Sequence, residues 1–358
     1  MQEHSGLPET GQGAGSGSSM PGPGGAPARP RVVVTLRVFA DLLDTLRRDF
    51  DVIDNQDDLP WSASDLGTHL ALAHGVLVDP GRRIDAALLA GASRLCVVSN
   101  IAVGYNNLDL AACTANGIVA TNTPDVLTDA TADHAWALLM AAARRVVEAD
   151  RWTRTGKWQG FAFDAFLGAD VHGATLGILG MGRIGQAIAR RAQGFAMPVI
   201  YHNRHPVALE PGDIAAQWVS KEELLRSADF LVVLVPYGPA THHLLGATEF
   251  AQMKPGSVLV NIARGGVIDD AALIEALRAG RPGAASLDVM ENEPHFHPGL
   301  LELENLVLTP HIGSATRRAR RGMVALAMQN LRQVLRGERP AALLNPPVWE
   351  SRRRFEPQ

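Results

Sequence analysis

The chain has 358 residues, enough for two domains that each bury a full core. Its 33 Lys and Arg against 37 Asp and Glu leave a formal charge of -4, with no large block of one sign, which argues against a nucleic-acid or membrane-surface partner and suits a small anionic substrate. The two cysteines, Cys96 and Cys113, lie in apolar runs and make neither a disulfide framework nor a metal cluster, so buried free thiols in a reducing cytosol are expected.

No apolar stretch reaches the ~18 residues of a membrane span, and the N-terminus lacks the apolar core of a secretion signal. Residues 1–30 are rich in Gly, Ser and Pro and hold almost nothing to bury, which predicts a disordered tail; Met20 is a second candidate start. From Arg31, short apolar runs alternate with helical segments. Strands are expected at 31–36 (RVVVTL), 74–79 (HGVLVD), 94–99 (RLCVVS) and 117–122 (GIVATN), with helices at 40–48, 84–90 and 108–116. Strands separated by helices imply a parallel sheet with covered faces. The loop after 94–99, containing Val103 and Gly104, lies at a strand C-terminus, where ligands of such sheets bind and where backbone N–H groups can nest a carboxylate.

Asn122-Thr123-Pro124 interrupts this pattern, and a single long helix is expected from Leu127 to about Trp152. A second sheet then takes strands near 175–179, 199–202, 230–236, 257–263, 283–289 and 305–311, and a helix over 315–336 returns to the first unit. The resulting division is 31–123 plus 315–349 for one domain and 124–314 for the other. The tail from Glu338 is polar, contains proline and carries no clear signal.

Residues 175–204 read TLGILGMGRIGQAIARRAQGFAMPVIYHNR, a strand, a turn, a helix and a strand. Gly180, Gly182 and Gly185 have the Gly-x-Gly-x-x-Gly spacing. The first allows a tight turn, the second lets backbone approach a pyrophosphate, and the third packs helix on strand. The helix from Arg183 then aims its N–H groups at that phosphate. The second strand ends in Tyr201-His202-Asn203-Arg204-His205, with no Asp or Glu to hold the ribose hydroxyls. Arg204 can instead grip a 2′-phosphate and Asn203 can hydrogen-bond to it, so NADPH is expected over NADH.

Three strand ends of the second sheet carry polar residues that could do chemistry. Arg264 follows the run VNIA and suits a keto-acid carboxylate. Glu293 and His311 follow the next two strands, and a carboxylate beside an imidazole favours a protonated ring that can act as an acid. Among the other histidines, His242-His243 and the pair His295 and His297 have a spacing that suggests no complete metal site, and no metal is expected.

Taken together, Ala102-Val103-Gly104-Tyr105, the run from Asn122 to Asp129, the glycine unit, Asn261-Ile262-Ala263-Arg264-Gly265-Gly266, the run from Asp288 to Pro294 and Thr309-Pro310-His311-Ile312-Gly313 resemble the D-isomer-specific 2-hydroxyacid dehydrogenase family, in particular its glyoxylate and hydroxypyruvate reductases. The likeness covers nearly everything from Arg31 to Trp349. It implies an α/β fold of two doubly wound parallel-sheet domains, a Rossmann-type cofactor domain inserted in a flavodoxin-like substrate domain. It also implies that Arg264 orients the substrate, His311 donates a proton, Glu293 holds His311, and the N–H groups of Val103 and Gly104 bind the carboxylate. On the cofactor side it implies Arg183 and Ile184 at the pyrophosphate, Asn203 and Arg204 at the 2′-phosphate and Val235 and Pro236 beside adenosine. Ile262, Ala263, Asp288 and Thr128 would lie near the nicotinamide. Family members are typically homodimers joined through the cofactor domain, and aromatics in 158–166 could line the pocket or the dimer core. The expected activity is reduction of short 2-keto acids to D-2-hydroxy acids. Reduction of 2-ketogluconate or phenylpyruvate, and a nicotinamide-sensing scaffold like the co-repressors of this fold, are the alternatives.

Overall fold

A computed structural model describes residues 29–210 and 212–356. The tail reading for residues 1–28 lies outside these described residues. The first unit runs through β1 (Arg31–Val34), α1 (Ala40–Asp49), β2 (Asp51–Asp54), α2 (Ala63–Leu72), β3 (Gly75–Val78), α3 (Ala86–Ala90), β4 (Val97–Asn100), α4 (Leu110–Ala115) and β5 (Val119–Thr121). Its five strands are all parallel, in the flavodoxin-like order β2-β1-β3-β4-β5. Both faces of this sheet are covered, which is why every position of β3 and β4 is buried and β3 reads GVLV with no polar alternation. β2 and α2 were not expected: β2 is a half-exposed edge strand, and α2 contains Gly67.

The second unit comprises α5 (Thr128–Ala143), α6 (Val146–Arg154), β6 (Leu176–Leu179), α7 (Arg183–Ala192), β7 (Val199–His202), β8 (Ala216–Trp218), α8 (Lys221–Ser227), β9 (Phe230–Val233), α9 (Ala247–Gln252), β10 (Val258–Asn261), α10 (Asp270–Arg278), β11 (Ala284–Leu287) and β12 (Leu306–Leu308). Seven parallel strands lie in the order β12-β11-β10-β9-β6-β7-β8, a Rossmann-type doubly wound sheet. One core fills the space between the sheet and α5 with α7, around Trp136, Leu139, Ile178, Ile188 and Val260. A second, around Leu224, Leu231, Phe250, Leu273 and Leu287, fills the other face. The last helix, α11 (Arg317–Leu335), returns to the first sheet, where Met323, Ala327 and Leu331 join the core of β1 and β4 and the Ser99 hydroxyl donates to the Ala327 carbonyl at 2.9 Å.

The single helix expected over 127–152 is two helices. Arg145 between them adopts φ 52. The Ala169 N–H bonds the Ala143 carbonyl at 2.8 Å, and a Cβ at Gly168 would stand 2.2 Å from that oxygen, so the returning chain takes the place of the next helical turn. The C-terminal tail also has a structural role. Leu344 N–H bonds the Ala120 carbonyl at 2.8 Å, Asn345 Oδ1 accepts from the Ala120 N–H at 2.9 Å, and Arg353 N–H bonds the Gly117 carbonyl at 2.8 Å, closing the open edge of β5. Cys96 and Cys113 are buried free thiols, pushed by burial up to about 11 and about 12. Among the described residues no helix is long and apolar enough to cross a membrane.

Candidate active site

Ligands of doubly wound sheets sit beyond the strand C-termini where the strand order reverses, here between β6 and β9. The two strand ends close on each other at Gly180, which has φ 112 and whose missing Cβ would stand 2.9 Å from the Leu234 carbonyl carbon. At Gly185 a Cβ would lie 2.5 Å from the Gly180 oxygen, so both positions exclude any side chain. Gly182 is different: a Cβ there meets nothing within 4 Å, the open approach a pyrophosphate needs.

Side chains of Ser62, Asp85, Asp109, Ser220, Asp269 and Thr316 cap the starts of their own helices. α7 starts on Gly182 with no side-chain cap, so its first-turn N–H groups at Arg183, Ile184 and Gly185 stay open to an anion. Asn203 Oδ1 accepts from the Met181 N–H at 2.7 Å, which pins the glycine turn to the end of β7 and leaves the amide nitrogen for a ligand. Arg204 beside it is exposed and has no ion-pair partner among the described residues. Val235 and Pro236 form the opposite lip after β9, half-buried and exposed. The Arg183 guanidinium donates to Asp125 at 2.8 Å, across to the segment joining the two sheets. Such an exposed pair contributes about 1 kcal/mol or less, so Arg183 is free to turn toward a phosphate.

Three loops from the second sheet meet one loop from the first. His311 Nδ1 lies 2.9 Å from Glu293 Oε2, and Glu293 Oε1 accepts from the Met290 N–H at 2.8 Å, so the carboxylate is held on both oxygens. His311 itself has φ 53, and its N–H bonds the Asp288 carbonyl at 2.9 Å. Gly265 packs so closely on the Met290 carbonyl that a Cβ would lie 1.9 Å from that oxygen, which brings Arg264 up to the Glu293 loop. Burial lowers the Arg264 pKa and the Glu293 carboxylate opposes that shift. The Arg264 guanidinium donates to Asn106 Oδ1 at 2.9 Å and to its neighbour's carbonyl, that of Ala263, at 2.7 Å. It lies against Gly104 so tightly that a Cβ there would be 2.0 Å from Nη2.

The loop holding Val103 and Gly104 is tied by its carbonyls, with Asn122 donating to Val103 O and Asn100 to Gly104 O, both at 2.8 Å. The N–H groups of Val103 and Gly104 have no acceptor among the described residues and stand beside Arg264.

Asp288 is 2% exposed and organises the His311 loop. Its Oδ1 accepts from Thr309 at 2.6 Å, the Ile312 N–H at 2.8 Å and His134 Nε2 at 3.2 Å, and Oδ2 accepts from the Gly313 N–H at 2.7 Å. Burial pushes its carboxyl up, but the bonds from His134, Thr309 and Ile312 outweigh this and hold it below the usual range. Ile262 lies beside Gly313 in the same wall. Thr128 opens α5, its N–H bonded to the Asp125 carbonyl at 3.1 Å. Sequence reasoning missed His134, Thr309 and Asn106. Asn106 stood in a loop already singled out, whereas His134 is 154 residues from Asp288 and nothing local marks it.

Residues 136–313 match the model of the D-isomer specific 2-hydroxyacid dehydrogenase, NAD binding domain. A glyoxylate reductase of Thermococcus onnurineus is 44% identical over 329 residues, 91% of this chain and 98% of that enzyme. The crystal structure of a putative D-isomer specific 2-hydroxyacid dehydrogenase from Polaromonas superposes with TM-score 0.82 at 36% identity, covering 88% of this chain and 99% of that one. An NADPH-dependent glyoxylate/hydroxypyruvate reductase of Sinorhizobium meliloti, in complex with NADP and malonate, gives TM-score 0.81 at 32% identity over 92% of this chain and 100% of that one. With the glycine turn, the open helix start and the His311 loop in place on this fold, and with such identity over almost the whole length, the chain belongs to the D-isomer specific 2-hydroxyacid dehydrogenase family.

Proposed function

We propose that the protein reduces short 2-keto acids, glyoxylate and hydroxypyruvate first among them, to 2-hydroxy acids of D configuration, and that it prefers NADPH. The observation that carries this reading is the convergence on one cleft of a His311–Glu293 pair, the Arg264 guanidinium and two N–H groups that have no acceptor among the described residues. In it, residues 31–123 with 315–349 form the substrate domain and 124–314 the cofactor domain. Gly180, Gly182, Gly185, Arg183 and Ile184 hold the pyrophosphate. Asn203 and Arg204 take the 2′-phosphate, Val235 and Pro236 flank adenosine, and Ile262, Ala263, Asp288 and Thr128 surround the nicotinamide. When bound, the dinucleotide supplies the hydride.

The chain's own residues do the rest. Val103 and Gly104 N–H groups bind the substrate carboxylate, and Arg264 fixes the substrate and polarises its keto oxygen. Glu293 holds Nδ1 of His311, which leaves Nε2 to deliver the proton to that oxygen as it becomes a hydroxyl. Asp288 positions His311 through the N–H groups of Ile312 and Gly313.

The test is oxidation of NADPH and NADH by the purified protein across glyoxylate, hydroxypyruvate, pyruvate, phenylpyruvate and 2-ketogluconate. The expected result is highest kcat/KM for glyoxylate or hydroxypyruvate with NADPH. Arg204→Glu should cut kcat/KM for NADPH about 10-fold or more, the worth of a charge-assisted bond to phosphate, while sparing NADH. Equal kcat/KM for both cofactors in the parent protein would refute the phosphate reading and keep the enzyme.

We also infer a homodimer. Phe161 and Phe163 are 88% and 89% exposed, and Trp158 and Leu167 of the same segment are also exposed. Beside them a cleft of about 600 Å³ opens at the N-terminal ends of β10 to β12, lined by Arg145, Glu148, Leu167 and Asn305, far from the chemistry. Covering each aromatic is worth roughly 1.5–3 kcal/mol. Light scattering should give twice the chain mass, and Phe161→Asp with Phe163→Asp should give the monomer; a monomeric parent protein would sink the inference. The two buried free thiols suit a reducing compartment such as the cytosol.

A further inference from the structure

We propose that His242, His243 and Glu291 form a binding site for one transition-metal dication of the zinc type, on the shoulder of the catalytic cleft. One donor atom from each of the three side chains lies within 4.8 Å of the others. His243 Nε2 is already 2.9 Å from Glu291 Oε1, and the two imidazoles stack with centroids 3.9 Å apart. At metal–donor lengths of about 2.0–2.2 Å, the atoms of a tetrahedral set stand roughly 3.3 Å apart, so the site needs only small rotations of side chains that are exposed or half-buried.

The groups behind the donors orient them as outer partners of a metal site do. Tyr237 Oη lies 3.3 Å from His242 Nδ1, which leaves Nε2 of that ring free. An Asp269 carboxylate oxygen is 3.9 Å from His243 Nδ1, on the side of the ring away from Glu291. Tyr237 is itself fixed, because its ring fills the space a Cβ on Gly266 would need. The His243 N–H bonds the Gly266 carbonyl at 2.9 Å, and the Glu291 N–H bonds Asp270 at 3.0 Å. Two chain segments, one carrying His242 and His243 and the other Glu291, therefore present the donors, and a third at Gly266 and Asp270 braces both.

Among the described residues no lysine or arginine pairs with Glu291 or Asp269, so their negative charge is left to attract a cation. Two imidazoles and one carboxylate suit Zn²⁺, Co²⁺ or Ni²⁺ rather than Mg²⁺ or Ca²⁺, and three protein ligands leave a fourth position for water.

The experiment titrates the full chain, stripped with chelator, with Zn²⁺ by calorimetry and with Co²⁺ by visible absorption. One ion per chain is expected, with a tetrahedral cobalt spectrum. His242→Ala and Glu291→Gln should each weaken binding at least about 10-fold while the protein stays folded, and Tyr237→Phe should weaken it less. His311→Gln should leave the affinity unchanged, since the catalytic His311–Glu293 pair is a separate donor set. No saturable binding, full affinity in His242→Ala, or loss of the ion in His311→Gln would each overturn the proposal.

Discussion

His311→Ala should lower kcat by about 10²- to 10⁴-fold, the range that general acid catalysis contributes, while the NADPH dissociation constant stays close to that of the parent protein. The separation follows from where the parts lie. The glycine turn and the α7 start, proposed to receive the dinucleotide, belong to β6 and its crossover, and their geometry depends on Gly180, Gly185 and Asn203. His311 stands on a different loop, fixed by Asp288 through the N–H groups of Ile312 and Gly313, and that scaffold survives loss of the ring. On the proposed reading, alanine would therefore remove the proton donor without removing the dinucleotide site. Single-turnover kinetics with fluorescence titration of NADPH would check both halves, and full turnover in the variant would take the acid role away from His311.

Gly104→Ala should cost about 10²-fold in kcat/KM for the keto acid with little loss of thermal stability. A methyl group there would stand 2.0 Å from Nη2 and 2.7 Å from Cζ of Arg264. The clash is with the far end of a flexible side chain, which can swing away, so the fold is spared. The guanidinium, however, would have to abandon its bonds to Asn106 Oδ1 and the Ala263 carbonyl. Displacing a substrate-orienting group by about 1 Å is enough for a loss of that size. A melting curve beside steady-state kinetics distinguishes the two effects. Unchanged kcat/KM would show that Arg264 does not work from the position it holds here.

The two variants also test the idea that the catalytic cleft is built between domains. Arg264 and His311 come from the seven-stranded sheet, Gly104 and Asn106 from the five-stranded one. α11 and the segment at Asn122 tie the two together, with Asn330 donating to the Asn122 carbonyl at 3.0 Å. Any motion that parts the domains separates the guanidinium from the loop that would bind the carboxylate.

What the sequence determined by itself was whatever depends on near neighbours in the chain. Runs such as VVV at β1, VLV at β3 and VLV at β10 are apolar without alternation, and only a strand covered on both faces accommodates that, so the parallel sheets were legible. The glycine spacing was legible because a turn with φ 112 at Gly180 is a local demand on backbone. The motif residues Arg264, Glu293 and His311 stood at strand ends, and strand ends were countable.

Tertiary structure alone decided the rest, because the deciding partner is remote. The helix after Leu127 stops at Ala143 only because Gly168 and Ala169 return to its carbonyl, and no residue between 127 and 152 announces that. The tail after Glu338 looks empty until β5 needs its edge closed. Asp288 reads as one more acid, yet its two oxygens gather donors from His134 on α5 and from the loop of Thr309, Ile312 and Gly313. His242-His243 offered no metal spacing along the chain; Glu291, 48 residues past His243, completes the set through folding. Periodicity and turn chemistry are properties of consecutive residues, whereas a shared carboxylate or donor cluster exists only once separate strands end side by side.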